Sequence, residues 1–490
     1  MKVKKTRRDF LKTGALGLAG ITVVPNIVMG KGTGFSSRVS PSDKLNIAAV
    51  GIGGMGRSNI NNMATENFVA MCDVDWSYAA KTFNDYPKAK RYKDYRKMLD
   101  EMGNSIDAVT VATPDHTHCI IASDAITRGK HAYVQKPLTH TVYESRLLAA
   151  LAKKYDVATQ MGNQGASSKG TTLAMDWLWN NEIGEVTRVD ASTDRPIWPQ
   201  GLEKPKKQDL IPNTLDWDLF IGPAPMRAYN SIYHPWNWRG WWDFGTGALG
   251  DMACHILQVV YEGLDLKYPE KVQGTSTVLM SDSCPTAEKV MYHFPARKDS
   301  KYKLKLPAVD VTWYDGGLQP PRPAGAEGKN IENCTIFYGT KDTLIVGCYG
   351  NDPWLVSGRK PNVPKRRRVV SLSHEQDWIR ACKEPAASRV KTASDFSLSG
   401  PFAEMVVMGV LAVRLQGLEK ELHWDGENMK FTNIGPDEEL KFRLKNDFSI
   451  INGDPTWHNK DTEPVNAQEF AAHLIKHQYR EDWSIPDMPM

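Results

Sequence analysis

The stretch from Leu45 to Gly56, LNIAAVGIGGMG, joins an apolar run to a cluster of glycines. The apolar run predicts a buried β-strand, and Gly51, Gly53 and Gly56 then match the pattern G-x-G-x-x-G. In such a turn the first glycine permits a sharp bend, the second lets the backbone approach a pyrophosphate, and the third lets a helix pack on the strand. The stretch therefore predicts a strand–turn–helix unit with an anion site at the N-terminus of the helix.

A second predicted strand ends at an acidic residue of the kind that this turn requires. Phe68 to Cys72 is apolar, and Asp73 follows it at once, 22 residues after Gly51. In dinucleotide-binding folds, an acid about 20 residues beyond the glycines accepts hydrogen bonds from the adenosine ribose and repels a 2′-phosphate. Asp73 therefore predicts NAD rather than NADP as the cofactor, and Asp75 is the nearby competitor for this role.

Strand and helix patterns alternate after Asp73. Parallel sheets with right-handed helical crossovers produce such an alternation. We therefore predict one doubly wound nucleotide-binding domain over residues 44–165. Its further segments are helix Tyr95–Met102, strand Ala108–Ala112, helix Ile120–Arg128, strand His131–Val134, helix Tyr143–Tyr155 and strand Val157–Gln160.

Two loops follow strands of this domain, at the edge where open parallel sheets bind their ligands. The first loop, TPDHTH from Thr113 to His118, has two histidines but no further carboxylate or cysteine pattern, so we predict no metal there and expect helix capping or loop bonding. In the second loop, Lys136 stands between Gln135 and Pro137, directly after a buried strand. Its ammonium could donate to a substrate hydroxyl or carbonyl near the nicotinamide.

These motifs, taken together, resemble the glucose–fructose oxidoreductase / inositol dehydrogenase (Gfo/Idh/MocA) family. The matching stretches are AVGIGGMG at 49–56, CDVD at 72–75, TPDHTH at 113–118, GKHAYVQKPL at 129–138 and GTGALGDMACH at 245–255. The family usually has Glu where Gln135 stands, which leaves the cofactor contact of that position open. The resemblance covers residues 44–430. It implies a Rossmann domain followed, over 166–430, by an α/β domain whose large, mostly antiparallel open sheet faces the nicotinamide.

The resemblance also implies that Lys136, Asp251 and His255 surround the reacting carbon. Asp251 and His255 are four residues apart, so on a helix they share one face, although without the resemblance a surface pair would be the simpler interpretation. Neutral histidine suits the acceptance of a hydroxyl proton. Asp251 would orient the imidazole or bind a neighbouring hydroxyl, and Lys136 would stabilise the alkoxide. The glycines expected to allow close approach of a ligand are Gly245, Gly247 and Gly250.

Tryptophans are concentrated just before this segment. Eight of the fifteen lie between Asp176 and Trp242, and the run YHPWNWRGWW at 233–242 mixes flat rings with Asn, Arg and His. Core packing explains part of this pattern, but rings beside hydrogen-bonding groups suit a sugar. We therefore predict a carbohydrate substrate bound by Gln164, Arg195, Trp236, Trp238, Arg239, Trp241 and Trp242. The residues predicted to bind the cofactor are Gly51, Gly53, Gly54, Met55, Gly56, Asp73, Thr113, Pro114, His118, Gln135, Lys136 and Asn163.

Short strand patterns separated by Gly/Pro turns fill residues 270–370 and predict a meandering sheet. Helical periodicity returns at His374–Cys382 and Phe402–Leu418. The extension from 431 to 490 is charged, and we expect it to be loop-like apart from a short helix near Ala467–His477. The expected strands are Lys271–Leu279, Lys289–Phe294, Ala308–Tyr314, Cys334–Tyr338 and Leu344–Cys348.

The first 30 residues carry the signature of an export signal. Arg7 and Arg8 precede Phe-Leu-Lys and a modestly apolar run, Gly14 to Val24, which is shorter than the ~20 residues of a membrane helix. Paired arginines in this setting resemble the twin-arginine consensus. We predict a twin-arginine signal peptide over 1–30, a linker over 31–43 and a periplasmic or otherwise exported protein. No cysteine precedes Cys72, so we expect no stable membrane anchor.

Composition and net charge reduce the number of functional classes that the sequence allows. The 490 residues have ordinary globular composition, and without residues 1–30 the formal charge falls from +4 to −1, so nothing in it calls for nucleic acid. We predict an exported NAD(P)-dependent oxidoreductase of a sugar or glycoside hydroxyl, with tightly bound cofactor and a homo-oligomeric assembly. The alternatives are a redox-neutral NAD-dependent glycosidase using a 3-keto intermediate and a non-catalytic sugar-binding homologue.

Overall fold

A computed structural model describes residues 43–298 and 302–489 of the chain. The predicted signal peptide and nearly all of the linker lie outside the described residues. The first sheet has six strands in the order β3-β2-β1-β4-β5-β6, and every pair in it is parallel. These strands are β1 Asn46–Val50, β2 Asn67–Cys72, β3 Lys90–Tyr92, β4 Ala108–Val111, β5 His131–Val134 and β6 Thr159–Met161.

Helices connect these strands, as the sequence predicts. The first begins directly at the glycine turn, and the last begins with a capping box in which Thr141 and Glu144 bond reciprocally. The parallel pairing brings the carboxyl ends of β1, β2, β4 and β5 to one edge of the sheet. The helices are α1 Gly54–Asn62, α2 Ala80–Asp85, α3 Tyr95–Met102, α4 His118–Thr127 and α5 Val142–Tyr155.

A nine-stranded sheet follows in the order β13-β12-β11-β7-β10-β9-β8-β14-β15. Its pairs are antiparallel except for β7 with β10, which confirms the predicted fold class. The strands are β7 Val186–Ser192, β8 Lys271–Ser276, β9 Glu288–Phe294, β10 Val309–Tyr314, β11 Cys334–Gly339, β12 Thr343–Gly347, β13 Asn351–Leu355, β14 Leu422–Asp425 and β15 Lys430–Phe431.

Six further helices follow the first five along the chain. Two of them, Gly247–Ile256 and Gln258–Gly263, follow one another directly, and the longest, Phe396–Arg414, contacts a helix of the first domain and strands of the second sheet. The six helices are α6 Lys169–Trp179, α7 Trp217–Ile221, α8 Gly247–Ile256, α9 Gln258–Gly263, α10 His374–Lys383 and α11 Phe396–Arg414.

Helix α11 is the central packing element of the molecule. It contacts α5 of the first domain and β8, β9 and α8 of the second. Among the described residues, it is the one helix long and apolar enough to cross a membrane by length and composition, but 83% of that window is buried inside the protein. The helix begins six residues before the predicted start at Phe402, because Asp395 caps it ahead of Pro401.

The extension after Phe431 is more ordered than the sequence predicts, and the expectation of a loop-like segment is wrong. It forms three two-stranded antiparallel ladders whose strands have only two to four residues each. Strands this short leave no alternation long enough to detect. They are β16 Glu439–Leu440, β17 Arg443–Lys445, β18 Phe448–Ile451, β19 Asp454–Trp457, β20 Lys460–Asp461 and β21 Val465–Asn466, followed by α12 Ala467–Ile475.

Candidate active site

One cavity of about 430 Å³ runs along the carboxyl edge of the first sheet and under the second domain. At one end it is lined by the glycine turn and Asp73, and at the other by Lys136, Asp251 and His255. The three residues predicted to be catalytic therefore share one space with the predicted dinucleotide site.

The glycine turn has the geometry that the sequence predicts. Gly51 has φ +75°, and a Cβ there would lie 2.6 Å from the backbone of Ala112. A Cβ on Gly56 would lie 1.8 Å from the carbonyl oxygen of Gly51, which confirms its role in packing α1 on β1. The residue before the first turn of α1 is Gly53, which has no side chain, so no side-chain acceptor caps that helix. An uncapped helix start beside a cavity fits the pyrophosphate of a dinucleotide.

The ring of Tyr78 packs directly on this turn. A Cβ on Gly53 would lie 2.2 Å from the Tyr78 ring, and one on Gly54 would lie 2.9 Å from its hydroxyl oxygen. The Tyr78 side chain is 42% exposed and lines the cavity. The Tyr78 ring thus occupies the space beside Gly53, and a pyrophosphate that approaches Gly53 requires this ring to rotate.

Asp73, and not Asp75, faces the cavity. The Asp73 carboxylate accepts from the backbone N–H of Ile52 at 2.9 Å and of Asp75 at 3.0 Å, and burial raises its pKa. Asp75 is buried and accepts from His234 Nε2 at 3.0 Å instead. The structure therefore favours Asp73 for the ribose.

Lys136 and Asp251 form an ion pair at the other end of the cavity. Lys136 Nζ lies 2.7 Å from Asp251 Oδ1 and donates also to the backbone oxygen of Asp251 at 2.9 Å. Arg239 Nε donates to the same Oδ1 at 3.1 Å. Burial alone would raise the pKa of Asp251, but the two cations outweigh burial and hold that pKa at about 2. The carboxylate is therefore charged and anchors two donors at the cavity wall.

His255 is 6% exposed and lies one turn along α8 from Asp251. Its ring centroid is 4.5 Å from that of Tyr349, and its Nδ1 has no hydrogen-bond partner among the described residues. Burial, together with the charge of Lys136, lowers its pKa to about 3. The prediction that Asp251 orients the imidazole is not supported, because the described contacts of Asp251 go to Lys136 and Arg239.

The glycines before α8 serve packing rather than the approach of a ligand. A Cβ on Gly245 would lie 2.6 Å from the backbone of Arg239, and one on Gly250 would lie 1.9 Å from Thr246 Oγ1. Gly247 has φ +69° and faces Cys284. The expectation that a ligand fills these spaces is corrected, since protein atoms fill them.

The histidines of the Thr113 loop hold the backbone in place. The ring nitrogens of His118 each lie 2.8 Å from a carbonyl oxygen, of Pro137 and of Thr113, so this ring joins the two ligand loops. Burial lowers its pKa to about 4, and the neutral ring donates to only one of these two carbonyl oxygens at a time. His118 does not line the cavity, and its predicted cofactor contact is corrected to a positioning role. Among the described residues, no group of three or more His, Cys, Asp or Glu side chains could hold a metal.

The remaining predicted cofactor residues divide into two groups. Gln135 is buried and lines the cavity while its Nε2 donates to Asn59 Oδ1 at 2.8 Å. Asn163 is wrong as a cofactor contact, because its Nδ2 donates to Gln258 Oε1 at 2.6 Å and the residue does not reach the cavity. The predicted residues that do line it are Gly51, Gly53, Gly54, Met55, Asp73, Thr113, Pro114, Gln135 and Lys136.

In the tryptophan run 233–242, some of the predicted substrate residues line the cavity and others are buried in the core. Arg239 lies between Trp236 and Trp238, with its guanidinium carbon 4.1 and 4.3 Å from their ring centroids, and all three line the cavity with Gln164 and Arg195. Trp241 and Trp242 are wrong as substrate contacts. They are 0% and 5% exposed and pack in the core, because the chain turns inward after Gly240.

Sequence reasoning missed several lining residues. Tyr349 has φ +62° in the turn between β12 and β13, and its backbone packs so closely on Gly165 that a Cβ there would lie 2.7 Å away. Trp198 and Trp483 also line the cavity. These residues come from distant segments, and nothing in their local sequence marks them.

Comparison with known proteins gives the family. A model of an oxidoreductase family with an NAD-binding Rossmann fold matches residues 45–163, and a model of its C-terminal alpha/beta domain matches residues 176–299. Levoglucosan dehydrogenase of Pseudarthrobacter phenanthrenivorans is 26% identical over 166 residues, 34% of each chain. A glycosyl hydrolase family 109 protein of Shewanella pealeana is 24% identical over 210 residues, 39% of this chain and 46% of that protein. The chain thus spans about half the length, or less, of these curated relatives.

Solved structures agree with this fold. WlbA dehydrogenase of Bordetella pertussis, crystallised with NADH and UDP-GlcNAcA, has a TM-score of 0.54 at 14% identity and covers 78% of this chain and 99% of its own. A levoglucosan dehydrogenase with NADH and L-sorbose has a TM-score of 0.51 at 16% identity, with 78% and 98% covered. At such identities the likeness shows the fold alone. With both domains matched by the family's models, the chain belongs to the Gfo/Idh/MocA oxidoreductases, and its first domain is their NAD-binding Rossmann domain.

Proposed function

We propose that this chain oxidises or reduces a hydroxyl-bearing carbon of a sugar or glycoside, with NAD held in the described cavity. The observation that carries the proposal is the continuity of that cavity from the uncapped start of α1 to Lys136, Asp251 and His255. The residues present fit a dinucleotide once the Tyr78 ring rotates away from Gly53, since the helix start then suits the pyrophosphate and Asp73 suits the ribose. When bound, NAD supplies the hydride acceptor.

At the reacting end of the cavity, Lys136, His255 and Asp251 have different roles toward the substrate hydroxyl group. Lys136 donates to the hydroxyl oxygen and stabilises the negative charge that develops there. His255, which is neutral because of its lowered pKa, accepts the hydroxyl proton. Asp251 fixes the ammonium of Lys136 and the guanidinium of Arg239 at the cavity wall. The side chains of Lys136 and Asp251 are 11% and 14% exposed and His255 is 6% exposed, so the protein shields these groups from most of the water.

A carbohydrate substrate is supported by the wall of Trp236, Trp238 and Arg239. The Trp236 ring is 47% exposed, so it offers a flat apolar face, and Arg239 stands beside it with hydrogen-bond donors. Levoglucosan dehydrogenase and UDP-N-acetylglucosamine 3-dehydrogenase are among the relatives, which supports a sugar-like substrate here.

We further propose that the protein is exported by the twin-arginine route and works as a homo-oligomer. The leader, with Arg7 and Arg8, supports the first statement. Since that route carries folded proteins, NAD would be loaded before export and would have to be retained and regenerated in place.

The test begins with purified mature protein. Denaturation should release NAD, which chromatography identifies, and the native protein should produce reduced-nicotinamide absorbance with a subset of sugars and glycosides. The proposal fails if the protein contains no nicotinamide cofactor and binds none.

A second candidate is a redox-neutral glycosidase that oxidises its substrate transiently. The matches to glycosyl hydrolase family 109 proteins of two Shewanella strains favour it. It predicts release of a reducing sugar from a glycoside with no net formation of NADH, whereas the dehydrogenase yields a ketosugar and NADH. The third candidate, a non-catalytic sugar-binding homologue, requires that substitution of Lys136 leave function unchanged.

A further inference from the structure

The C-terminal segment 479–485 returns from α12 to the first domain and forms part of the cavity wall. The Tyr479 hydroxyl donates to Glu144 of α5, and the backbone N–H of Arg480 donates to Pro223 O at 3.1 Å. Arg480 Nε donates to Gly222 O at 3.1 Å, and the N–H of Trp483 donates to Arg480 O at 3.1 Å. The segment is thus attached both to the Rossmann domain and to the end of α7, and it places Trp483 at the cavity.

Trp483 lies at the end of the cavity that Asp73 marks. The neighbouring lining residues Lys93, Asp94 and Tyr95 follow β3, which pairs with β2, the strand that ends at Asp73. In a Rossmann domain the acid after the second strand contacts the adenosine ribose. The adenine of a bound dinucleotide therefore belongs at this end, away from Lys136.

The indole of Trp483 is held in a fixed orientation. The guanidinium carbon of Arg96 lies 4.2 Å from the centroid of the Trp483 ring. Arg96 is itself fixed by two bonds to Asp94, from Nε to Oδ1 at 3.0 Å and from a terminal nitrogen to Oδ2 at 2.8 Å. Trp483 packs at the edge of the core but is only half-buried and lines the cavity, whereas Trp313 and Trp378 are 0% exposed.

We propose that Trp483 binds the adenine ring of the dinucleotide and that segment 479–485 thereby slows release of the cofactor. The inference rests on the proposed function and extends it, because it assigns the C-terminal extension a role in retaining NAD. An aromatic face suits a purine, because stacking requires only the π-face that every base presents. Tight retention is what an exported nicotinamide enzyme requires.

The test uses the full mature protein, freed of NAD and reloaded with fragments of the cofactor. ADP-ribose contains the adenine but not the nicotinamide, and nicotinamide mononucleotide contains the nicotinamide but not the adenine. We expect Trp483→Ala to weaken ADP-ribose binding by about tenfold or more, the range seen for loss of one base–aromatic stack, and to leave nicotinamide mononucleotide binding unchanged. Isothermal titration calorimetry measures both affinities, and the rate of NADH release should rise by a similar factor.

Two further variants separate contact from folding. Trp483→Phe keeps an aromatic face and should retain most of the affinity for ADP-ribose. Trp457→Ala is the matched control, since Trp457 is 64% exposed in β19 of the same extension and does not line the cavity. Its affinities should equal those of the wild type.

The outcomes distinguish this inference from the proposed function. Wild-type affinity of Trp483→Ala for ADP-ribose would overturn the role of Trp483 and leave the oxidoreductase proposal intact. Equal losses for ADP-ribose and nicotinamide mononucleotide would also overturn it, because they would show a general effect on the fold. If the wild type binds neither NAD nor ADP-ribose, both proposals fall.

Discussion

The proposed reaction depends most strongly on one group, the ammonium of Lys136. It follows β5 directly and would donate to the oxygen that gains negative charge as hydride leaves. We expect Lys136→Met to lower kcat by about a hundredfold or more, while NAD still binds through the glycine turn and Asp73. Steady-state kinetics and the NAD content of the purified protein measure the two effects separately.

The control for this variant is Lys130→Met, which removes a lysine from the opposite end of the same strand, outside the cavity. Its kcat should match that of the wild type. Unchanged turnover in Lys136→Met would contradict the catalytic assignment and favour the sugar-binding homologue or a different reacting group.

The pKa of His255 makes a prediction about pH. Burial and the charge of Lys136 lower this pKa to about 3, whereas histidine in water titrates near 6.5. The free enzyme therefore keeps a neutral imidazole across about pH 5 to 8, and kcat/KM should show no histidine limb in that range. A one-proton loss of kcat/KM near pH 6.5 that disappears in His255→Gln would contradict this assignment.

The lowered pKa of His255 also predicts how the free energy of unfolding changes with pH. The unfolded chain takes up a proton on His255 near pH 6.5, but the folded protein takes it up only near pH 3. The contribution of neutral His255 is therefore fully present above about pH 6.5 and is lost as the pH falls toward 3. Urea unfolding at several pH values, with His255→Gln as the comparison, measures this term.

At the level of elements, the position of α8 depends on how closely α11 packs behind it. A Cβ on Gly409 of α11 would lie 2.0 Å from the Tyr292 hydroxyl oxygen and 2.9 Å from Leu249 Cδ1, and Leu249 is two residues before Asp251. We expect Gly409→Ala to lower the free energy of unfolding by about 1–3 kcal/mol, because an overpacked core cannot relax without shifting these elements. Urea denaturation measures the loss.

A second substitution tests the cause of that loss. The Tyr292 hydroxyl is buried and has no hydrogen-bond partner among the described residues, so Tyr292→Phe should change stability little. In the Tyr292→Phe background, Gly409→Ala should cost clearly less, since the clashing oxygen is gone. Equal costs in both backgrounds would show that the close contact with Tyr292 does not set the spacing between α11 and the sheet.

At the scale of the whole molecule, the parts that the sequence predicts are those with local signals. The turn at Gly51–Gly56, the acid after β2 and the alternation of strands and helices each follow from a short pattern, and the structure reproduces them. The partner of Asp251 does not follow from any such pattern. Arg239 reaches Asp251 because Gly245 lets its own backbone lie against the backbone of Arg239. No local sequence pattern predicts such a contact between segments.

Residues that come together from distant segments were beyond prediction for the same reason. Tyr349 stands in a turn of the second sheet and Trp483 near the C-terminus, yet both line the cavity. The error at Trp241 and Trp242 has a related cause, because aromatic density alone does not tell which rings face a ligand and which fill the core. Exposure, which needs the fold, separates Trp236 from Trp241.

The proposed route of export links the leader to the cofactor site and can be tested on the whole protein. A leader recognised only by its charge would tolerate lysine in place of arginine, whereas recognition of the planar guanidinium groups would not. We therefore expect the double substitution Arg7→Lys and Arg8→Lys, which preserves net charge, to leave the protein in the cytoplasm with NAD bound. Cell fractionation, followed by release of the cofactor from each fraction, measures both properties.

The matched control is the pair Lys4→Arg and Lys5→Arg, which alters two nearby cations but leaves Arg7 and Arg8 intact. This variant should be exported like the wild type and should carry the same amount of NAD. Export of the Arg7/Arg8 variant at the wild-type level would refute the twin-arginine assignment. It would also remove the reason to expect that NAD is loaded in the cytoplasm, because a chain exported unfolded would have to acquire its cofactor afterwards.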